Sequence, residues 1–135
     1  IGVMLASDEK MAEAIVETVR EHLIVLNKDL RVVTANQAYY KNFAVTPEVI
    51  KNKYFYDIQD GLWNMPKLRQ LLEEIIRENS AFNDFEVNYE APGADRRIML
   101  LNARRVAREE QLILLAVEDI TARRIAEEER EKIHL

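Results

Sequence analysis

The chain has 135 residues, 48% of them apolar, which is enough to form one hydrophobic core of ordinary domain size. It contains no cysteine, so disulfides, thiolate nucleophiles and cysteine-ligated metals are excluded. The formal net charge of -5 argues against binding to a phosphate backbone, and we expect no nucleic acid partner.

No transmembrane segment is apparent in the sequence. The longest apolar run, residues 112–117, is far shorter than the roughly 20 residues that span a bilayer. We therefore expect a soluble, cytoplasmic domain, although the parent protein could be anchored in a membrane. The chain starts at Ile1 without an initiator methionine and stops within a helical pattern, so we interpret it as part of a longer protein.

The first predicted element is an amphipathic helix within residues 1–20. Ser7 is a suitable N-cap, and Met11, Ile15 and Val19 recur at four-residue spacing. Its apolar stripe needs a partner surface, so we expect it to cover one face of a sheet or to hold two subunits together.

Two short apolar runs, residues 23–26 and 30–34, flank the polar connection Asn27-Lys28-Asp29. This spacing predicts an antiparallel hairpin. Asn36 then has the side chain of an N-cap for a short helix, because its oxygen can accept a hydrogen bond from an unpaired backbone N–H.

Helices are predicted in the middle of the chain. Thr46-Pro47 indicates a helix start, and residues 66–79 form the strongest helical pattern, with an apolar stripe that includes Leu72. The period then changes from helix to strand. Phe85, Val87 and Tyr89 alternate with polar residues, a turn is expected at residues 91–95, and two longer strands follow, joined around residues 108–110.

Three consecutive hairpin-connected strands indicate an α+β fold with an antiparallel sheet. The last strand is apolar on both faces: Leu112 and Leu114 point one way, and Ile113, Leu115 and Val117 the other. Both faces of the sheet must therefore be covered. We assign residues 21–121 to the core and residues 122–135 to a linker helix that leaves the domain.

Several of these stretches resemble the PAS (sensory-box) family over about residues 21–124. A last strand that ends in Asp119-Ile120-Thr121, followed by Ala-Arg-Arg, looks like the end of a PAS domain. The stretch DLRVVTANQAYYKNF is similar to the second strand and asparagine-capped helix of the family. The stretches WNMPKLRQLLEEII, DFEV and LLNARR are most similar to PAS domains of bacterial and archaeal sensor histidine kinases and of chemotaxis methylesterase/methyltransferase fusions.

The resemblance implies a five-stranded antiparallel sheet with helices on one face, enclosing a small cavity. It also implies a sensory function in a signal-transduction protein of the two-component type, with an effector domain downstream in the same chain. A signal would pass from the last strand to the C-terminal helix, and the expected relay residues are Asp119, Ile120, Thr121 and Arg124.

The resemblance also bears on cofactors. Photoreceptor PAS domains that link their chromophore to a cysteine are excluded here. Haem is disfavoured because His22 and His134 lie outside the helical region that usually supplies the axial ligand. No cofactor and no metal are predicted, but a non-covalent flavin or another small molecule stays open.

Aromatic side chains concentrate in the helical region and could line a ligand pocket, or they could simply form the core. Asn102 lies in an otherwise apolar strand, where it could bind a ligand or make a structural hydrogen bond. Our candidate pocket residues are Tyr40, Phe43, Tyr56, Trp63, Leu72 and Asn102.

The arginines of the fourth strand suggest different environments. Arg96 and Arg97 follow a turn and are expected to be solvated, whereas Arg104 and Arg105 could pair with carboxylates.

Nothing in the sequence indicates an enzyme. The three glycines are isolated, no histidine pair has metal-ligand spacing, and neither serine lies in a nucleophile motif. The alternative to a sensory module is therefore a ligand-free dimerisation or protein-interaction scaffold. A homodimer is expected in either case.

Overall fold

A computed structural model describes residues 21–90, 96–106 and 111–133. Three predictions lie outside these residues: the N-terminal amphipathic helix, the turn at residues 91–95 and the connection at residues 108–110. The predicted elements between them are all present, in the predicted order.

The chain opens with a hairpin of β1 (His22–Leu26) and β2 (Val32–Ala35), paired antiparallel. The Asn27 side chain shapes the connection, since its Oδ1 accepts hydrogen bonds from the backbone N–H groups of Asp29 and Arg31, at 2.9 and 3.0 Å. Strand β2 starts later than the apolar pattern predicts. Leu30 adopts a φ of 63° within the turn, and this left-handed conformation ends the extended backbone there.

Three helices follow, α1 (Gln37–Phe43), α2 (Pro47–Ile50) and α3 (Pro66–Glu78). A short turn, Ile58–Gly61, lies between α2 and α3. Both α2 and α3 begin with proline, which suits the first helical turn because its missing N–H would be unpaired there anyway. Leu68, Leu72 and Ile75 bury one face of α3, as the periodicity predicts.

Strands β3 (Ala81–Tyr89), β4 (Arg97–Val106) and β5 (Leu112–Asp119) complete the sheet. Helix α4 (Thr121–Ile133) starts two residues after β5. All pairings are antiparallel and the strand order is β2-β1-β5-β4-β3, so the last strand lies in the centre of the sheet. Asp84 interrupts the pairing of β3 with β4, where the register shifts and its φ is 57°.

The two faces of the sheet carry separate apolar clusters. One face packs against α1 to α3 and forms the main core, to which β5 contributes Ile113, Leu115 and Val117. On the other face, Leu23, Val25 and Leu112 are buried, and a group of partly buried side chains packs against them: Val33, Val106, Leu114 and Ala116. The prediction that β5 is apolar on both faces is confirmed. Among the helices described above, we find none with the length and apolar character needed to cross a membrane.

Candidate functional site at the exit of the last strand

The end of β5 is tied to the start of α4 by two short side chains. Asp119 Oδ1 accepts hydrogen bonds from the backbone N–H of Thr121, at 2.9 Å, and from its hydroxyl, at 2.5 Å. Thr121 Oγ1 in turn accepts a hydrogen bond of 2.8 Å from the backbone N–H of Ile98 in β4. The first turn of α4 is thereby attached to β4 as well as to β5.

Arg97, at the start of β4, holds the other oxygen of the same carboxylate. Its Nε and Nη2 donate to Asp119 Oδ2 at 3.2 and 3.0 Å, and both side chains are about three-quarters buried. Partial burial opposes ionisation of Asp119, but the hydrogen bonds from Thr121 and Arg97 together outweigh it. The pKa of the Asp119 carboxyl therefore lies below its ordinary value.

Arg97 also contacts the aromatic core. Its guanidinium carbon lies 5.1 Å from the centre of the Phe43 ring, at the C-terminal end of α1. The Phe43 ring is 4.6 Å from that of Tyr39 and meets Trp63 edge-on at 5.8 Å. One arginine thus touches both the exit of the domain and the helices that cover the sheet.

Tyr39 and Trp63 form the polar part of this aromatic cluster. Trp63 Nε1 donates to the Tyr39 hydroxyl at 3.2 Å, and the hydroxyl donates to the side-chain oxygen of Gln59. Burial raises the pKa of Tyr39 above its ordinary value, even though the hydrogen bond from Trp63 lowers it. The hydroxyl is therefore neutral in the folded protein and serves as a structural link between α1 and the turn before α3.

The other two predicted relay residues also lie at the junction. The backbone N–H of Ile120 donates to Ile98 O at 2.8 Å, and the Ile120 side chain is buried. Arg124, one turn into α4, donates to Glu86 Oε1 on β3 at 2.6 Å. This hydrogen bond lowers the pKa of the exposed Glu86 carboxyl. All four predicted relay residues therefore make contacts with β3 or β4, close to the point where β5 passes into α4.

Asn36 stands at the N-cap of α1, the position expected for it. Its Oδ1 accepts from the backbone N–H groups of Tyr39 and Leu23, at 3.0 and 3.1 Å, and its Nδ2 donates to Glu21 O. The side chain thus fixes the start of the helix to the start of β1.

Five of the six candidate pocket residues lie together on the core face: Tyr40, Phe43, Tyr56, Trp63 and Leu72. All except the partly exposed Phe43 are buried, and Phe55 stacks on Trp63 at 5.7 Å. The Tyr56 hydroxyl is buried without a hydrogen-bond partner in the described residues, and burial, together with Glu73, raises its pKa.

Asn102 is separated from these five residues by the sheet. Its neighbours in β4, Leu101 and Ala103, belong to the core, so Asn102 itself points to the opposite face. There its Oδ1 accepts a hydrogen bond of 3.0 Å from the backbone N–H of Asp84. It fixes the irregular pairing of β3 with β4, and it cannot share a pocket with Trp63.

One expectation about arginines was wrong. Arg97 is not solvated, because the antiparallel register of β4 with β5 brings it beside Asp119. For Arg105, the described residues show no carboxylate partner, and its Nη2 donates to the carbonyl groups of Ile75 and Ile76 at the end of α3. Arg97 is thus a site residue that the sequence reading missed. Its position in the sequence could have revealed it, because in a β4–β5 hairpin the start of β4 lies beside the end of β5.

The described residues contain no group of three or more His, Cys, Asp or Glu side chains that could hold a metal ion. The His22 ring lies edge-on to the Phe43 ring, with 6.3 Å between the ring centres. His134 is outside the described residues.

Comparison with known proteins identifies the class to which this fold belongs. The family model described as "PAS fold" matches residues 16–125, most of the chain. A search of curated proteins finds no match. The chain belongs to the PAS-fold family and is a PAS sensory domain.

Solved structures agree with this fold. The chain is similar to the PAS domain of BvgS from Bordetella pertussis, with 16% identity, a TM-score of 0.67, and coverage of 96% of this chain and 99% of that one. It is similar to a PAS domain from a two-component sensor histidine kinase, with 15% identity, a TM-score of 0.58, and coverage of 84% and 97%. The PAS domain of an HTR-like protein from Haloarcula marismortui has 16% identity, a TM-score of 0.56, and coverage of 88% and 97%.

Proposed function

We propose that this domain is the sensory or regulatory module of a cytoplasmic signal-transduction protein, in the first place a sensor histidine kinase. It relays the binding of a ligand or partner through β5 to α4, and α4 leads into an effector domain downstream. The single observation that carries this proposal is the position of Arg97, which contacts Phe43 on the helical side and Asp119 at the exit.

The relay follows from these contacts. A change in the packing of α1 moves the Phe43 ring, and Arg97 lies against that ring. Because Arg97 donates two hydrogen bonds to Asp119, its displacement alters the carboxylate that caps Thr121. The start of α4 therefore has a direct mechanical connection to the helices over the sheet.

The size of such a signal has an upper limit. A ligand shifts two states only by the difference in its affinity for them, typically about 1–3 kcal/mol between coupled sites. One or two hydrogen bonds to a partly buried charge are of that order. The energy of the Asp119 contacts is therefore of the size that such a relay requires.

The test uses the parent protein with Asp119→Ala and Thr121→Ala combined. We expect a folded domain whose signal-dependent kinase or methylation activity is lost, since the exit is no longer tied to β4. The matched control replaces Glu118 and Arg123, an exposed ion pair at the same junction, and should keep its response. A normal response in the Asp119→Ala, Thr121→Ala variant would refute the proposed relay.

A second function concerns the outer face of the sheet, where Leu23, Val25 and Leu112 are buried and Leu114 is partly buried. An apolar face of this kind needs a cover, which residues of the same chain or of a second copy can supply. We propose that the domain is a homodimer held through this face and residues 1–20. If ligand-free dimerisation is its whole function, it is a scaffold.

Sedimentation of residues 1–135 and 21–135 tests this second function. The full chain should be a dimer at tens of micromolar, and the shortened chain a monomer. A monomer in both cases refutes the dimer. Native mass spectrometry of freshly purified protein separates the two functions, because a retained small molecule supports sensing and contradicts a pure scaffold.

A further inference from the structure

Strand β3 forms one edge of the sheet, and no element among the described residues pairs with its outer side. It is hydrogen-bonded only to β4 there, and it runs for nine residues. The opposite edge is covered, because the backbone of residues 52–55 makes hydrogen bonds of 2.8 and 2.9 Å with Val32 and one of 2.9 Å with Leu30. Within the described part of the chain, β3 is therefore the open edge of the sheet.

The register of the strands shows which backbone groups of β3 face the open side. Both the N–H and the C=O of Ile98 in β4 are hydrogen-bonded to the junction of β5 and α4. Backbone groups alternate in direction along a strand, so those of Met99 point toward β3, where Met99 is paired with Val87. The N–H and C=O groups of Glu86 and Asn88, on either side of Val87, therefore point away from the sheet.

The two halves of β3 differ in how well they are protected against pairing. In the first half, the register shifts at Asp84, whose φ of 57° interrupts the extended backbone. Irregularities of this kind protect a sheet edge from other strands. From Phe85 to Tyr89 the pairing with β4 is continuous, and no such irregularity is present. This second half is thus able to accept a further strand.

The second half of β3 is complementary to itself when two copies run antiparallel around Val87. In this register Glu86 lies opposite Asn88 of the second copy, and the outward N–H and C=O groups of the two residues meet. The Glu86 carboxylate binds Arg124 through Oε1, and its remaining lone pairs can accept an amide N–H from Asn88. A register that puts Glu86 opposite its own copy would oppose two like charges. The alignment around Val87 is therefore the favoured one.

The side chains on the other face agree with this register. Phe85 lies opposite Tyr89 of the second copy, and both side chains are only partly buried in the single chain. Aromatic cross-strand pairs stabilise antiparallel sheets, and this pair occurs twice because the contact is symmetric. Beyond it, Asp84 would lie opposite Glu90, two carboxylates that repel each other. The complementary ladder therefore consists of residues 85–89.

We propose that β3 is a self-association surface, at which residues 85–89 of two copies pair antiparallel and join the two five-stranded sheets into one. The surface is separate from the outer face of the sheet and from residues 1–20, so it does not depend on the functions proposed above. So short a ladder gives a weak contact, with a Kd of about 1 mM, because few interactions oppose the loss of freedom on association. It forms only where copies of the protein are concentrated.

The test is NMR of the whole chain in a dilution series from about 1 to 0.05 mM. As the concentration rises, the amide signals of Glu86 and Asn88 should shift and gain protection from exchange, while the Val87 amide, which faces β4, stays protected throughout. In a mixture of differently labelled copies, an intermolecular contact should appear between the Phe85 and Tyr89 rings. These two residues are about 13 Å apart within one strand, so the contact cannot arise inside a single copy.

Two substitutions of Asn88 change the same cross-strand pair in opposite directions at an exposed position. Asn88→Lys places a cation opposite Glu86 and should tighten the pairing at least about threefold, whereas Asn88→Asp places an anion there and should weaken it by at least as much. Each change counts twice in a symmetric contact. Asn83→Asp is the matched control, since Asn83 is exposed on the same strand outside the paired residues, and it should leave the Kd within about twofold.

Three results would overturn the proposal. One is that the amide signals of Glu86 and Asn88 do not depend on concentration up to about 1 mM. Another is that the lysine and aspartate substitutions change the Kd in the same direction. The third is an association that shifts only the signals of Leu23, Val25 and Leu112, because it would place the contact on the outer face and leave the edge unpaired.

Discussion

Replacement of Asp119 by alanine should loosen the first turn of α4 without unfolding the sheet. The change removes the acceptor for the Thr121 N–H and the partner of Arg97. Loss of the hydrogen bond to the Thr121 N–H costs about 1 kcal/mol. Loss of the charge-assisted hydrogen bonds costs about 1 kcal/mol more, a value reduced because the side chains of Asp119 and Arg97 keep 26% and 30% of their exposure.

The sum of about 2 kcal/mol corresponds to a roughly thirtyfold increase in local opening. Asp119→Asn separates the two contributions. It keeps an oxygen in place for Thr121 and removes only the charge opposite Arg97, so opening should increase about fivefold. The order of the two variants is thus fixed by the geometry of the carboxylate.

Native-state hydrogen exchange of the backbone amides at residues 122–126 measures these factors directly. Glu118→Gln is the control, since it removes the neighbouring exposed pair with Arg123 and should leave exchange within about twofold of the original. Equal protection of α4 in the original protein and in Asp119→Ala would refute the capping role. Equal loss of protection in the sheet would show that the effect is global.

Further predictions concern single side chains. Thr121→Val leaves the backbone N–H of Ile98 without its acceptor and should lower the free energy of unfolding, measured in urea, by about 1–3 kcal/mol. Thr121→Ser keeps the hydroxyl and should retain most of the original stability. Asn36→Ala removes a helix cap and orphans a buried N–H of β1, so a loss of about 3 kcal/mol is expected by the same method. Because the folded-state pKa of Asp119 is lowered, its ionised form stabilises the fold above pH of about 4, and this contribution disappears as the pH falls through the folded-state pKa. Asp119→Asn should therefore lose less stability on acidification, and an unchanged acid profile would contradict this. The raised pKa values of Tyr39 and Tyr56 matter at high pH. Stability should decline once the pH exceeds about 10, because the tyrosines of the unfolded chain ionise first. Tyr39→Phe should make that decline shallower.

The sequence predicts local elements well because their signals are local. The hairpin, the Asn36 cap, the stripe of α3 and the three late strands all depend on spacings within a few residues. The link between β5 and α4 could be predicted for the same reason, since Asp119 to Thr121 are adjacent in sequence and their side chains suit a hydrogen bond at a helix start.

Contacts across the sheet could not be read in the same way. Strand β4 has apolar residues on both faces: Ile98 and Leu100 on one, and Met99 and Leu101 on the other. The alternation along the strand therefore does not show which face belongs to the core. That is why Asn102 was grouped with aromatic residues on the wrong side of the sheet.

The turn before α3 also has no clear sequence signature. It has left-handed backbone at both Gln59 and Asp60, and although aspartate is enriched in that conformation, glutamine is not. The sequence also does not show that, among the described residues, the side-chain nitrogen of Asn42 is buried without a hydrogen-bond partner, because this follows from packing among distant elements.

The central position of β5 has a consequence for how the domain is made. His22 pairs with Val117 across most of the chain, so the sheet has high contact order and closes a long loop before its centre forms. During synthesis, the β1–β2 hairpin and the β3–β4 hairpin remain unconnected until β5 leaves the ribosome. The segment that follows β5 is α4, so a correctly anchored α4 can exist only on a domain whose assembly is finished.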